Sequence, residues 1–277
     1  MRARIILSVI ALLVLTCACL VIHAQAQAPQ TAEIVYITGV VQVKSPSSPG
    51  WVDAKEGMSI REGDVIRTQA DSNAELAFGE GLINIINVFP DSQLVISGFE
   101  PGLVKLEEGR VFSLIKNIKR GSTFEVRTPT AVAGARGTGW GVGWKDNTTE
   151  VQDFEKSVYI AGLGANGNLL GLSNLKSGWK TFLSKEQGPG KFSQLSPDEI
   201  RSWNRWLKEA RMHIRDFKQK MKERDQSDPQ QKLKKASRRA RILERVERET
   251  TRSEENRRDR RTTGGSSSQE DRYYSTE

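Results

Sequence analysis

The sequence predicts an all-β domain, either a sandwich or roll or a short β-solenoid, followed by an amphipathic α-helix and a charged, partly disordered C-terminal tail. Three observations predict it. From Ile34 to Leu183 short β-branched and aromatic runs are separated by turn residues at roughly 8–12-residue spacing, with no sustained helical period. At Ser196 the pattern changes to apolar residues three and four apart. Beyond Asp228-Pro229 apolar residues thin out while charge accumulates.

Taking the elements in order, residues 1–26 have the grammar of a signal peptide. Arg2 and Arg4 precede an apolar run from Ile5 to Ile22, and "HAQAQA" supplies the small residues that a signal peptidase accepts, with cleavage expected after Ala26. The expected location is therefore outside the cytoplasm: periplasm, cell envelope or medium. An uncleaved anchor is the alternative, since about 18 apolar residues is the lower end of a membrane span. A lipoprotein reading rests on Cys17 and Cys19, whose flanks make imperfect lipoboxes. These are the only two cysteines, so a processed chain has no disulfide and no Cys-ligated metal.

The β-domain is expected over 33–184, beginning with "EIVYITGVVQVK" and ending with "WKTFLS". "SKEQGPGKFSQLS" supplies a Gly/Pro/Ser linker, placed at 185–195. The helix is placed at 196–227: Ser196 is a good N-cap, Pro197 suits the first helical position, and Glu199 can complete a capping box. Ile200, Trp203, Leu207, Ala210, Ile214, Phe217 and Met221 form one apolar seam along it. That seam can dock on the β-domain or pair with a second copy in a coiled coil. Trp203 and Trp206 suit an irregular surface better than a regular seam. Residues 228–262 are expected as a charged helical or disordered segment, with pairs such as Glu244–Arg248, and 263–277 as a disordered tail.

The net charge of +8 invites an anionic partner. However, 23 Lys and Arg against 16 Asp and Glu lie from Asp198 onward, so the basicity belongs to the C-terminal part. Its acids are interleaved and no stacking aromatics accompany the Lys232–Arg261 cluster, which disfavours nucleic acid. Membrane contact is expected only through the N-terminal segment, if uncleaved or lipidated.

Chemistry is sparse. There are two histidines: His23 lies in the signal, and His213 reads as a solvated residue on the polar side of the helix. With no His or Cys cluster, zinc chemistry lacks ligands and a hydrolase triad lacks its base; no cofactor is expected. A polysaccharide-acting enzyme would need paired carboxylates, which Asp64, Glu80, Asp91, Glu107, Glu108, Asp146 and Asp153 could supply, although most read as turn residues. The glycines of "GARGTGWG" resemble a phosphate loop, yet no helix follows them, and "GWGVGW" alternates as a strand. They read as positions of bending or close approach, with Arg136 tying a turn from inside.

The stretch Phe124, Val126, Arg127, Thr128, Pro129, Thr130, Ala131, Val132, Gly134, Arg136, Gly137 and Thr138 resembles the signature of the FecR domain, Phe-x-Val-Arg-Thr-Pro-Thr-Ala-Val-x-Gly-Val-Arg-Gly-Thr. "ITGVVQV", Trp51, "EGMSIREGDVIRTQADSNAELAFGEG", "SQLVI" and "LEEGRVF" precede it in the family's order, and the similar region spans Ile34 to Leu183. Ala135 stands where the family often has Val, and Gly139-Trp140 where an acidic or apolar residue is common. The resemblance implies a β-rich extracytoplasmic module. Since only two arginines precede the apolar run, it carries over a sensor or binding role and not sigma-factor regulation. The expected function is non-enzymatic engagement of an envelope protein or surface polymer. Self-association as an envelope scaffold through the helix is the alternative.

Overall fold

The structure, a computed structural model, describes residues 31–99, 102–118, 121–227, 237, 241–246 and 248–249. The expected signal segment, the 263–277 tail and most of 228–262 lie outside the described residues. A first compact unit ends at Phe217 and a second begins at Lys218. In the second, the backbone is helical over 241–246, and Arg245 pairs with Glu249 at 3.0 Å.

The described residues form seventeen strands, with one 3-10 turn at Glu80–Leu82, and then a helix whose residues from Lys218 onward fall in the second unit. The strands are β1 (Ala32–Thr38), β2 (Val41–Lys44), β3 (Val52–Asp53), β4 (Ser59–Ile60), β5 (Val65–Thr68), β6 (Asn73–Phe78), β7 (Asn84–Val88), β8 (Gln93–Phe99) and β9 (Gly102–Leu114). They continue as β10 (Phe124–Arg127), β11 (Ala131–Ala135), β12 (Gly139–Lys145), β13 (Thr148–Asp153), β14 (Ser157–Leu163), β15 (Leu169–Lys176), β16 (Trp179–Ser184) and β17 (Ser193–Gln194). The helix, α1, begins at Pro197 and runs to Ser227.

Two sheets share one strand. Sheet A has the order β4-β1-β6-β7-β9-β12-β13-β16-β17. Sheet B has the order β3-β2-β5-β8-β9-β10-β11-β14-β15. All neighbours are antiparallel except β10 beside β9. The first half of β9 pairs within sheet B, and the second half, from Gly109, pairs within sheet A. Neither sheet closes on itself, so the architecture is a sandwich, neither a closed barrel nor a parallel solenoid.

One hydrophobic core fills the space between the sheets, because alternate residues of each strand point inward. Ile34, Leu76, Ile86 and Val111 enter it from sheet A, and Ile66, Leu94, Val104 and Phe124 from sheet B. Where the chain crosses from one sheet to the other, the same device appears twice. Gly39 follows β1 with φ 71°, and Gly109 divides β9 with φ 86°. In each case a Cβ would overlap a serine of the facing turn, Ser72 or Ser92. The serine Oγ accepts from the next backbone amide: Val40 N at 2.8 Å and Arg110 N at 3.0 Å. A glycine is required by both the positive φ and the close approach.

The expected linker is partly strand, since β17 pairs with β16 (Trp179↔Gln194) and so extends sheet A. α1 starts as its sequence dictates. Ser196 Oγ accepts from Glu199 N at 3.3 Å and Glu199 Oε2 accepts from Ser196 N at 2.7 Å, a reciprocal capping box.

Candidate functional site: the signature strands and the helix they carry

The signature occupies β10, its hairpin to β11, and the approach to β12. Phe124 and Val126 point into the core. The Phe124 ring stacks on Phe78 at 5.5 Å and occupies the space that Gly102, its partner in the parallel pair, leaves without a side chain. At the hairpin, Thr128 and Thr130 are buried, and each hydroxyl lies 2.6 Å from Thr149 Oγ1 of β13. Thr128 Oγ1 also accepts from Ala131 N at 3.0 Å, which closes the turn around exposed Pro129. The three hydroxyls tie the turn of sheet B to a strand of sheet A. Gly137 lies at φ 94° in the turn leading to β12, and Thr138 Oγ1 accepts from Lys156 N at 2.9 Å. The conformations are those of a β-hairpin, and the glycines after it lead into a strand, β12, and not into a helix.

Glu125 and Arg127, which alternate with Phe124 and Val126 along β10, face outward from sheet B. Tyr159 lies across Gly134, whose missing side chain makes room for the ring, and donates its hydroxyl to Glu125 Oε1 at 2.5 Å. Burial first, and then the Glu125 carboxylate, push the Tyr159 hydroxyl well above its ordinary range. Arg127 lies 3.8 Å from Glu125, while its Nε is buried without a partner. Lys105 is directly opposite Arg127 in the parallel register and is exposed. Arg136 corrects the sequence expectation: it is exposed and makes no hydrogen bond or ion pair among the described residues, so it ties no turn from inside.

The glycines of β12 have a different task. Gly139, Gly141 and Gly143 line up on the outer face of sheet A, and a Cβ at the first two would meet Trp203 and Phe112. A strip without side chains gives the aromatic rings a floor. Across it lies α1, whose Trp203, Trp206, Ala210 and Phe217 are buried, with Leu207 and Ile214 partly so. Trp203 stacks on Phe154 at 4.5 Å and 4°, and meets the edge of Phe112 at 5.4 Å. Ile200 is exposed, and Met221 belongs to the unit beyond Lys218. Since most of the seam is spent on sheet A, a coiled coil through it would first require undocking.

Polar contacts fix the register of the helix. At its start Glu199 Oε1 accepts from Lys180 Nζ at 2.6 Å and Gln152 Nε2 at 2.7 Å, and Lys180 also reaches Glu150 at 3.3 Å. Burial lowers the tendency of Lys180 to hold its proton, but the two carboxylates outweigh it and raise the pKa; Glu199 is lowered by Lys180 and the Ser196 cap against an opposing burial effect. Farther along, buried Glu75 of β6 accepts from Trp206 Nε1 at 3.0 Å and lies 3.0 Å from His213 Nδ1. The His213 ring stacks on Tyr36 of β1 at 3.7 Å and 5°. His213 is therefore a docking residue and not a solvated one. Burial raises the Glu75 pKa above its ordinary value, against the opposing hydrogen bonds and charge of His213.

Two clefts adjoin these groups. One, of about 520 Å³, lies between α1 and sheet A and is lined by Tyr36, Glu75, Asn87, Phe89, Arg205 and Glu209 among others. The second, of about 910 Å³, opens at the β9 kink beside Arg110, Trp144, Asn147 and Phe182. It collects three of the candidate carboxylates, Asp91, Glu108 and Asp146, with Glu150 held by Arg110 at 2.7 Å. The others are scattered. Asp64 accepts from Arg61 N in a turn, Glu80 is exposed, Glu107 takes a hydrogen bond from Gln93, and Asp153 is buried. Among the described residues no group of three or more His, Cys, Asp or Glu could hold a metal ion, and no helix is long and apolar enough to cross a membrane.

Residues 64–158 match the family described as FecR protein. No curated protein matches the chain. Two crystal structures of an anti-sigma-factor candidate from Parabacteroides distasonis are similar at 14% and 15% identity, each with a TM-score of 0.41. Each comparison covers 50% of this chain and 63% of the other. The chain thus spans less than two thirds of the length of those structures. The match begins at Asp64, just before β5, and ends at Val158 in β14, so it includes the shared strand, the signature hairpin and the glycine strip. The sandwich that carries the signature is thus similar to the FecR family over residues 64–158.

Proposed function

We propose that this chain is a non-enzymatic, extracytoplasmic FecR-type sensor or binding module that engages a partner of the cell envelope, a protein or a surface polymer. The FecR match supports a regulatory or sensor module. One structural observation directs the reading to a surface: α1 covers the outer face of sheet A, whereas that of sheet B carries Lys105, Arg127, Arg136, Glu125 and Tyr159 with its cations uncovered. Exposed charges such as Lys105 and Arg136, held at a sheet, can select a partner without the cost of ordering a loop. Export rests on the N-terminal segment, and fractionation of cells expressing the full chain tests it. Full-length protein retained in the cytoplasm would overturn it.

The partner surface is tested by crosslinking in cells with the wild-type chain and Arg136→Ala. Loss of the crosslinked partner in the variant, with unchanged thermal unfolding, is the expected result. Capture that is indifferent to both Arg136→Ala and Lys105→Ala would place the partner elsewhere.

A further inference from the structure

The cleft between α1 and sheet A has features that docking of the helix does not explain. Asn87, on β7, is 2% exposed, yet its Oδ1 has no hydrogen-bond partner. A buried amide oxygen left unpaired is destabilising, and packing alone would favour an aliphatic residue there. Beside it stands Glu75, 1% exposed, whose carboxylate oxygens accept one hydrogen bond each, from Trp206 and His213. An ionised carboxylate can accept about four, so each oxygen retains capacity. Tyr36, Phe89 and Trp206 supply aromatic walls, and Glu209 lies on the helix side of the opening.

The unmet groups are acceptors, and the nearest buried charge is negative. What completes such a site is a group with several N–H donors and a positive charge, held by charge-assisted hydrogen bonds and by aromatic faces. Arg205, exposed on α1, opposes a cation, but Glu209 lies one helical turn away on the same helix. The volume of about 520 Å³ admits a small molecule or the end of a side chain. We propose that this cleft binds a small organic cation, a primary ammonium or a guanidinium, between Asn87 and Glu75 beneath α1. The site is distinct from the sheet B surface and stands whether or not a macromolecule binds there. A cation bound here contacts the helix and the sheet together, so occupancy strengthens the docking of α1.

The test uses the full chain with putrescine, agmatine and ethylammonium as probes, and propionamide and acetate as neutral and anionic controls. Binding is read by calorimetry, tryptophan emission and the thermal midpoint. At least one cation is expected to bind saturably and raise the midpoint, with the controls silent. Asn87→Leu, which replaces an unpaired amide oxygen by an apolar group of similar size, is expected to weaken binding at least tenfold. If that variant fails to fold, Asn87→Asp decides: added negative charge is expected to tighten cation binding at neutral pH. Absence of saturable binding by all three cations at 10 mM, roughly the weak limit for a specific site, would overturn the proposal. Equal binding of propionamide would do the same, as would an affinity unchanged in Asn87→Leu or not increased in Asn87→Asp.

Discussion

Asp153 closes β13 inside the sandwich. It is fully buried; Oδ1 accepts from Glu155 N at 3.2 Å and Oδ2 has no partner. Burial, opposed by backbone amides, pushes its carboxyl up to about 6 from 3.8. With the folded value above the unfolded one, the native state keeps a proton that the unfolded state releases. The resulting stability is present below about pH 4 and is lost as pH rises through about 6, a difference of about 3 kcal/mol at one pKa unit per 1.36 kcal/mol. Asp153→Asn should remove that dependence and stabilise the protein by about 1–3 kcal/mol at pH 7.5, as measured by urea unfolding at pH 4.5 and 7.5. A variant no more stable than wild type at pH 7.5 would contradict this account. Arg136 is the contrasting case. Exposed and unpaired, it should tolerate Arg136→Ala within about 0.5 kcal/mol in the same assay. Its type and spacing identified the family, but whether an arginine points in or out of a turn is set by the strand parity before it. Gly134 faces outward over Tyr159, so the residue two places on faces outward too.

At the scale of elements, the helix and its start were legible because capping and periodicity are local. Of the expected seam, Trp203, Ala210 and Phe217 are buried and Leu207 and Ile214 partly so. Trp206 and His213 dock beside them, so that Trp203, Trp206, Ala210, His213 and Phe217, spaced three, four, three and four apart, form a ladder with a histidine in it. Treating His213 as polar hid the rung, although its seven-residue distance from Trp206 was available in the sequence. Its partner, Glu75, could not be found that way, since it lies 138 residues earlier on β6. The glycine strip also required the fold, because what fills the space over Gly139 is a side chain 64 positions later. Gly139→Val should displace Trp203 and cost about 1–3 kcal/mol, with a red shift of tryptophan emission. Trp203→Ala should cost about 3–5 kcal/mol while leaving the far-ultraviolet β signal in place. If either change left both stability and emission as in wild type, the docking contacts would be incidental.

At the scale of the molecule, strand spacing was enough to show an all-β domain but not how its strands are shared. Two sheets meeting in β9 require a glycine with positive φ in mid-strand, and one glycine in "LEEGRVF" looks like any other until Ser92 stands against it. In the completed sandwich α1 covers the outer face of sheet A. A chain ending at Leu195 should expose Ile85, Phe112 and Leu114, bind a hydrophobic dye and associate in light scattering, whereas the full chain should not bind the dye. Equal dye binding by both would mean that α1 does not shield the sheet in solution.

The seat of α1 is assembled from strands between Tyr36 and Lys180, whereas α1 itself follows them in the chain. Synthesis runs from the N-terminus, so the sandwich can be complete while the helix is still unmade. During that interval its aromatic floor is bare. Refolding of the isolated chain should show the same order in time: β structure first, then a slower phase in which Trp203 and Trp206 change emission together.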